Sequence, residues 1–327
     1  MGASAAGYGA GDGGEDDDRL GRSPILVTGA AGRVGGVGRF VVQQLRLRGL
    51  PVRAMVHRDD DRAQALRSIG AEVVVGDLTE PVDVVRALHG CRRVYFSMSV
   101  SAPYLEATVI MAAAALQQGD VEVLVNISQM SVSQMSLTSM TDSPQQRQHW
   151  LAEQALNWSG LPVVHVRATV FLDHFFFSTW AAESIIADGT IRLPFGSART
   201  SPIATEDVAR VITTVLEKPE GHIGKVYELT GPRSQDMNAI ASEYAKALGR
   251  PVHYVDVPFD EWEDKDLNNR GLPSHVFEHI RSMAKLHAEN RYDRLTQDVS
   301  EVTGQSAMSV HNFVTQRPDV FKDASRN

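Results

Sequence analysis

The sequence predicts an α/β fold, a doubly wound parallel sheet followed by a smaller, mostly helical C-terminal unit, and three observations carry that prediction. Short apolar runs alternate with helix-like segments through the first half of the chain. The runs are continuous in Val, Ile and Leu, as in strands buried on both faces, where one exposed face would make them alternate with polar residues. Helix-like segments end at Gly49, Gly70 and Gly90, where a left-handed cap belongs.

Taken in order, "PILVTG" reads as a strand, "VGRFVVQQLRLRG" as a helix, "PVRAMVHR" as a strand, "DRAQALRSIG" as a helix and "AEVVVGD" as a strand. Further strands fall at "RRVYFSM", "VEVLVNIS" and "LPVVHVR", with helices over about 103–118 and 144–158 between them. Beyond Thr169 the alternation breaks, although "TEDVARVITTVLEKP" reads as a helix and "GKVYELTG" as another strand of the same sheet. Segments 236–249, 260–268 and 274–289 read as helices, with "HYVDVP" a short strand among them. The expected organisation is a flexible acidic tail over 1–22 and a sheet domain over 23–170 to which 203–231 returns. Segments 171–202 and 232–327 then form the smaller domain.

With 327 residues, 43% of them hydrophobic, the chain suits one large or two ordinary domains with a sizeable core. A formal charge of -8 with the basic residues scattered argues against a nucleic-acid partner, which needs a concentrated basic face. Cys91 is the only cysteine, excluding a disulfide framework and a thiolate metal cluster, and the histidines show no ligand spacing, so no metal is expected. No apolar stretch approaches the roughly 18 residues that span a bilayer, and the N-terminus has no basic region leading into a hydrophobic one. The expected partner is a small molecule and the expected location the cytoplasm.

The stretch "ILVTGAAGRVGGVGRFVVQQL" opens a strand into a glycine loop and then a helix. Gly29, Gly32 and Gly35 form one GxxGxxG spacing, and Gly32, Gly35 and Gly38 a second overlapping it. The first is favoured because Gly29 follows the strand directly, and Gly36 to Gly38 then read as a short extension before the helix. A glycine at the strand end permits positive φ, and the others let the backbone and the helix N-terminus approach a pyrophosphate. The loop therefore predicts a dinucleotide. Its identity turns on the end of the second strand, where Val56, His57 and Arg58 stand in place of a carboxylate. A base there suits a 2′-phosphate and favours NADP(H) over NAD(H); the alternative is that Asp59 or Asp60 reaches the ribose.

Together "TGAAGRVG", "VRAMVHR", "GAEVVVGDLTEP", "NIS", "SGLPVVHVRATVF", "TSPIATEDVARV" and "GKVYELTG" resemble the NmrA-like group of atypical short-chain dehydrogenase/reductases, over about 24–313. The resemblance implies a Rossmann domain carrying NADP(H) or NAD(H) and a small C-terminal substrate domain. It implies that Gly29, Ala31, Gly32, Arg33, Val34 and Gly35 surround the pyrophosphate and that His57 and Arg58 lie near the adenosine phosphate. Asp77 and Leu78 would contact the adenine, and Ser97, Ser99 and Ser128 would line the ribose and nicotinamide side. Strand-end turn formation is the alternative for the three serines.

The wider superfamily uses a tyrosine and a lysine four residues later as its proton-delivering pair. Alignment on "ExxLxxSGLP" puts Gln145 in the tyrosine column and His149 in the lysine column, so that pair is absent. His149 could hold the nicotinamide ribose or deliver a proton, since an unperturbed pKa of about 6.5 suits acid catalysis; it could equally be a packing histidine. Tyr104 is the other candidate acid. In "VFLDHFFFSTW", Phe171, His174, Phe175, Phe176 and Trp180 could wall a flat apolar substrate, or serve as core. Asp207 matches a motif of the group and could also brace its helix. These readings give an NAD(P)H-dependent reductase passing hydride to an apolar conjugated acceptor such as a quinone, enone or dye-like molecule, with a homodimer as the candidate assembly. The alternative is a non-catalytic NADP(H)-sensing regulator acting through a protein partner.

Overall fold

The computed structural model describes residues 23–32 and 36–322. The tail over 1–22, and Arg33, Val34 and Gly35 of the glycine loop, lie outside the described residues.

From the N-terminal side the chain forms β1 (Ile25–Thr28), α1 (Val37–Leu47), β2 (Val52–Val56), α2 (Asp61–Ser68), β3 (Glu72–Val75), α3 (Pro81–Leu88) and β4 (Arg93–Phe96). There follow α4 (Tyr104–Gln118), β5 (Val123–Gln129), α5 (Pro144–Trp158), β6 (Val163–Ala168), α6 (Thr179–Asp188), β7 (Thr190–Leu193), β8 (Arg199–Thr200), α7 (Thr205–Glu217) and β9 (Val226–Leu229). The rest comprises β10 (Gln235–Asp236), α8 (Met237–Leu248), β11 (His253–Asp256), α9 (Phe259–Trp262), α10 (Ser274–Ala288), α11 (Asp298–Thr303) and α12 (Val310–Thr315).

Seven strands make one parallel sheet in the order β3-β2-β1-β4-β5-β6-β9. The apolar runs are continuous because successive residues serve two different cores. Ile25, Val27, Val123 and Val125 pack with α1 and α7 on one face, and Leu26, Phe96 and Leu124 pack with α3, α4 and α5 on the other. The predicted return of α7 and β9 to the sheet is seen, β9 pairing with β6. A third core joins α6, α8, α10 and α12 around Phe176, Tyr244 and Trp262. Segment 260–268, predicted as a helix, is α9 followed by a π-helical turn over 263–267 and a short 3-10 turn. No helix of the described residues is long and apolar enough to cross a membrane.

The strand order reverses between β1 and β4, the kind of switch point beyond whose C-terminal strand ends open α/β sheets bind their ligands. Thr28 holds the two ends together: its hydroxyl donates to the Ser97 carbonyl at 2.7 Å and accepts from the Ser97 N–H at 2.8 Å. The glycine loop starts there, and Gly35 of the favoured spacing lies outside the described residues. Gly36 is the left-handed N-cap of α1 and Gly38 lies in the first turn, so the expected extension is the start of the helix itself. A Cβ on Gly38 would lie 2.9 Å from both N and Cα of Ala30. Gly38 therefore takes the role of the last glycine, letting the helix press onto the strand-end backbone.

Helix propensity alone favours Gly38→Ala by about 1 kcal/mol. The clash with Ala30 backbone is expected to reverse that sign and cost about 1–3 kcal/mol, read as a lower urea midpoint. A neutral or stabilised variant would show that α1 does not need this approach.

Candidate functional site

At the switch point Gly29 has φ +68°, and a Cβ there would lie 2.9 Å from the Ser97 carbonyl oxygen. The Gly32 N–H closes the turn onto the Gly29 carbonyl at 3.1 Å. The Ala31 carbonyl accepts from the Arg62 guanidinium at 2.6 Å, and Arg62 also pairs with Asp60. Arg62 was not predicted. It ties the start of α2 to the glycine loop, and its only local signal is that it stands two residues after Asp60, the N-cap that accepts from its N–H at 3.0 Å.

On the side expected for the adenosine, His57 and Arg58 follow β2 and are exposed, and Arg58 has no ion pair among the described residues. The two carboxylates that could compete for a ribose are engaged, Asp59 with Arg67 at 2.6 and 3.1 Å and Asp60 with Arg62. Those arginines hold both carboxyls below the usual range. Asp77 accepts from the Thr79 N–H at 2.9 Å and its hydroxyl at 2.7 Å, and its second oxygen lies 3.6 Å from His57 Nδ1. Hydrogen bonds from Thr79, with His57 nearby, lower the Asp77 pKa. Leu78 is half-buried against the core under α3 and α4. Of the three serines, Ser97 abuts Gly29, Ser99 is exposed, and Ser128 is buried with no hydrogen-bond partner for its hydroxyl.

Helix α5 is fixed from both sides. Glu153, buried, takes a two-pronged pair from Arg167 of β6 at 3.0 and 2.6 Å. Gln145 accepts at Oε1 from the Ser101 N–H at 3.1 Å and from His275 Nε2 of α10 at 2.8 Å, and its Nε2 lies 3.2 Å from His149 Nε2. The residues in the tyrosine and lysine columns are thus bonded to each other. Burial, with His279 adding to it, pushes the His149 pKa down to about 3, which favours the neutral ring near pH 7. Tyr104 is held as closely. It is fully buried, donates its hydroxyl to the Ile127 carbonyl at 3.1 Å, packs its ring 4.2 Å from that of His149, and has its pKa raised well above the ordinary value by desolvation. Phenol and imidazole form a braced, uncharged wall beside the end of β5.

The histidines, scattered in sequence, gather in space. His279 Nδ1 lies 3.0 Å from Ser143 Oγ, the N-cap of α5. His287 stacks between Phe195 and Tyr292, with ring centroids at 4.2 and 3.9 Å. His174 lies at 4.6 Å from the Phe176 ring. Burial pushes the pKa down to about 4 for His279 and to about 3 for His174 and His287. The signal for α10 was its spacing: His275 and His279 are one turn apart, and His287 lies two turns further on. Among the described residues no group of three or more His, Cys, Asp or Glu is placed to hold a metal ion.

The aromatic segment divides. Phe171, partly buried, packs against the sheet core and bridges to Ile203, and Phe176 is central in the third core. His174 is also buried. Phe175 and Trp180 are half-buried and stacked at 5.4 Å, with the Arg270 guanidinium 4.7 Å over the indole. Asp207 braces α7, accepting from the Met308 N–H at 2.6 Å and pairing with Arg210 at 2.7 Å. A cavity of about 190 Å³ opens between the loop after β5 and α10, lined by Gln134, Met140, Thr141, Asp142, Ser282 and Lys285.

The NmrA-like family matches residues 21–314. The chain is 28% identical over 299 residues to an NAD(P)H azoreductase of Xenophilus azovorans, covering 91% of this chain and 99% of that protein. In structure it is similar to the triphenylmethane reductase of Citrobacter sp. complexed with NADP(H), with a TM-score of 0.76 and 22% identity over 89% of this chain and 99% of that one. It is also similar to NmrA, a negative transcriptional regulator, in complex with NADP, with a TM-score of 0.74 and 16% identity over 94% of this chain and 98% of that one.

Four imidazoles held neutral by burial make the fold acid-sensitive. Their folded pKa values, about 3 to 4, lie below the unfolded value of about 6.5. The unfolded chain therefore binds more protons between these limits, and the stabilisation, complete above pH 6.5, is lost as pH falls. Unfolding free energy in urea is expected to drop by roughly 1 kcal/mol per histidine for each pH unit below about 6.5, with a shallower slope in His279→Gln. Stability unchanged from pH 7 to 5 would contradict the burial of these rings.

Proposed function

The chain belongs to the NmrA-like family, and on that footing we propose that it is an NAD(P)H-dependent reductase passing hydride to an apolar conjugated acceptor such as a quinone, enone or dye-like molecule. The observation that carries the proposal is the cradle at the switch point. Gly29 and Gly38, where a Cβ would strike Ser97 and Ala30, let the strand ends and α1 close together at that point, and the Ser128 hydroxyl after β5 and His149 Nδ1 are buried polar atoms left without a protein partner. These residues fit a dinucleotide.

In this reading the Gly29–Gly32 turn and the N-terminus of α1 hold the pyrophosphate. Arg58, free of ion pairs among the described residues, meets a 2′-phosphate, supported by the engagement of Asp59 with Arg67 and of Asp60 with Arg62. NADP(H) is accordingly preferred over NAD(H). The bound dinucleotide supplies the hydride. Ser128 and His149 orient the reacting groups, and Tyr104, committed to Ile127, keeps the His149 ring in place. Neither Tyr104 nor His149 has a pKa that would let it give up a proton near pH 7. That suits an acceptor whose conjugation or positive charge takes the hydride unaided, the product then being protonated by water, and it does not suit a simple ketone.

The same missing acid favours the second reading, a cofactor-sensing regulator, which the likeness to the NADP-bound regulator supports. Calorimetry with NADPH and NADH, together with loss of NADPH absorbance against quinones and azo dyes, separates the two. NADPH is expected to bind more tightly than NADH, Arg58→Ala to weaken NADPH about tenfold with little effect on NADH, and turnover to be seen. Binding without turnover on any acceptor moves the assignment to the regulator, and no binding overturns both.

A further inference from the structure

The Gln145 bonds determine where the His149 proton sits. Gln145 Oε1 takes the Ser101 backbone N–H, which can only donate, so the side-chain amide has one permitted orientation. The contact of Oε1 with His275 Nε2 at 2.8 Å agrees, since that nitrogen then donates. Gln145 Nε2, which has no lone pair to offer, must donate to His149 Nε2 at 3.2 Å. In a neutral imidazole that accepts at Nε2, the proton is on Nδ1. His149 Nδ1 is buried and has no hydrogen-bond partner, and a buried donor left unsatisfied costs about 1–3 kcal/mol. The groups around the ring are the Tyr104 phenol on α4, which is turned to Ile127, and His279 on α10, which is turned to Ser143. Neither takes the proton.

We propose that Gln145 fixes His149 as the Nδ1–H tautomer and that this N–H is the site's uncharged hydrogen-bond donor to a ligand oxygen, either a ribose hydroxyl of the dinucleotide or the carbonyl of the acceptor. The ligand half rests on the function proposed above; the tautomer half does not. Gln145 is a positioning residue, acting through His149 and anchored by Ser101 from the sheet domain and His275 from the smaller one. Where the superfamily pairs a phenol with an ammonium, this chain pairs an amide with a neutral imidazole. A permanent donor has replaced an acid.

Nitrogen-15 NMR of the full chain, with His149 assigned through His149→Phe, reads the protonation of each ring nitrogen directly. The free protein is expected to show Nδ1 protonated and Nε2 bare at every pH from 6 to 9; a protonated Nε2 overturns the proposal. Gln145→Glu keeps an acceptor for Ser101 and His275 and, once its carboxyl is ionised, presents only acceptor oxygen to His149, so Nε2 must gain a proton at the alkaline end of this range; an Nε2 that stays bare at pH 9 shows that Gln145 does not set the tautomer. A shift of the Nδ1–H signal on adding NADPH identifies the ribose hydroxyl, and a shift only when a quinone is also present identifies the acceptor carbonyl. In His149→Phe the NADPH Kd or the quinone KM, respectively, should rise about tenfold. If calorimetry shows NADPH bound and the signal moves with neither ligand, the N–H simply packs against the Tyr104 ring and the donor role falls. If NADPH does not bind at all, the proposed function and the ligand contact fall together while the tautomer result stands.

Discussion

Two backbone approaches closer than a side chain allows set the geometry of this molecule: Gly29 against Ser97 and Gly38 against Ala30. The first brings the ends of β1 and β4 together at the point where the sheet changes direction, and the Thr28 hydroxyl bridges them. The second seats α1 on that junction. Once both are made, the positions of β2, β5 and β6 follow from ordinary parallel pairing, and the residues at their C-terminal ends converge on one edge.

On that edge, helix α5 does most of the organising. It is pinned to β6 by the Glu153–Arg167 pair, and losing one partner of a buried pair like this costs about 3–5 kcal/mol. At its other end Gln145 joins the loop after β4 to α10. At this contact α10 meets α5 through hydrogen bonds between uncharged side chains, and burial keeps the histidines behind them neutral. On the function proposed above, such an edge offers fixed donors and suits acceptors that need no proton at the moment of hydride transfer.

Much of this was legible in the sequence. Continuous apolar runs with glycine-terminated helices identified the parallel sheet, because burial on both faces leaves that mark in the five inner strands. The glycine loop was legible as a turn from strand to helix, but the approach of Gly38 to Ala30 was not, since spacing alone cannot say which glycine makes it. Arg62, His279 and His287 were missed because their roles arise between elements far apart in the chain. The short helices α11 and α12 were missed for a related reason, their stability being tertiary: Asp298 of α11 accepts from the Glu228 N–H at 2.7 Å, and Glu243 of α8 accepts from the His311 N–H at 2.9 Å. The sequence did report the missing tyrosine and lysine. It could not report that their replacements would be buried and bonded to each other.

The central claim is that a dinucleotide lies across the switch point with its nicotinamide end beside Ser128 and His149. Hydrogen–deuterium exchange with and without NADPH tests it most directly. The account predicts slower exchange in the segments 29–40, 57–62 and 126–131 on binding, with β3 and α8 unchanged. Protection confined to the cavity between the loop after β5 and α10, with the glycine loop unaffected, would contradict it.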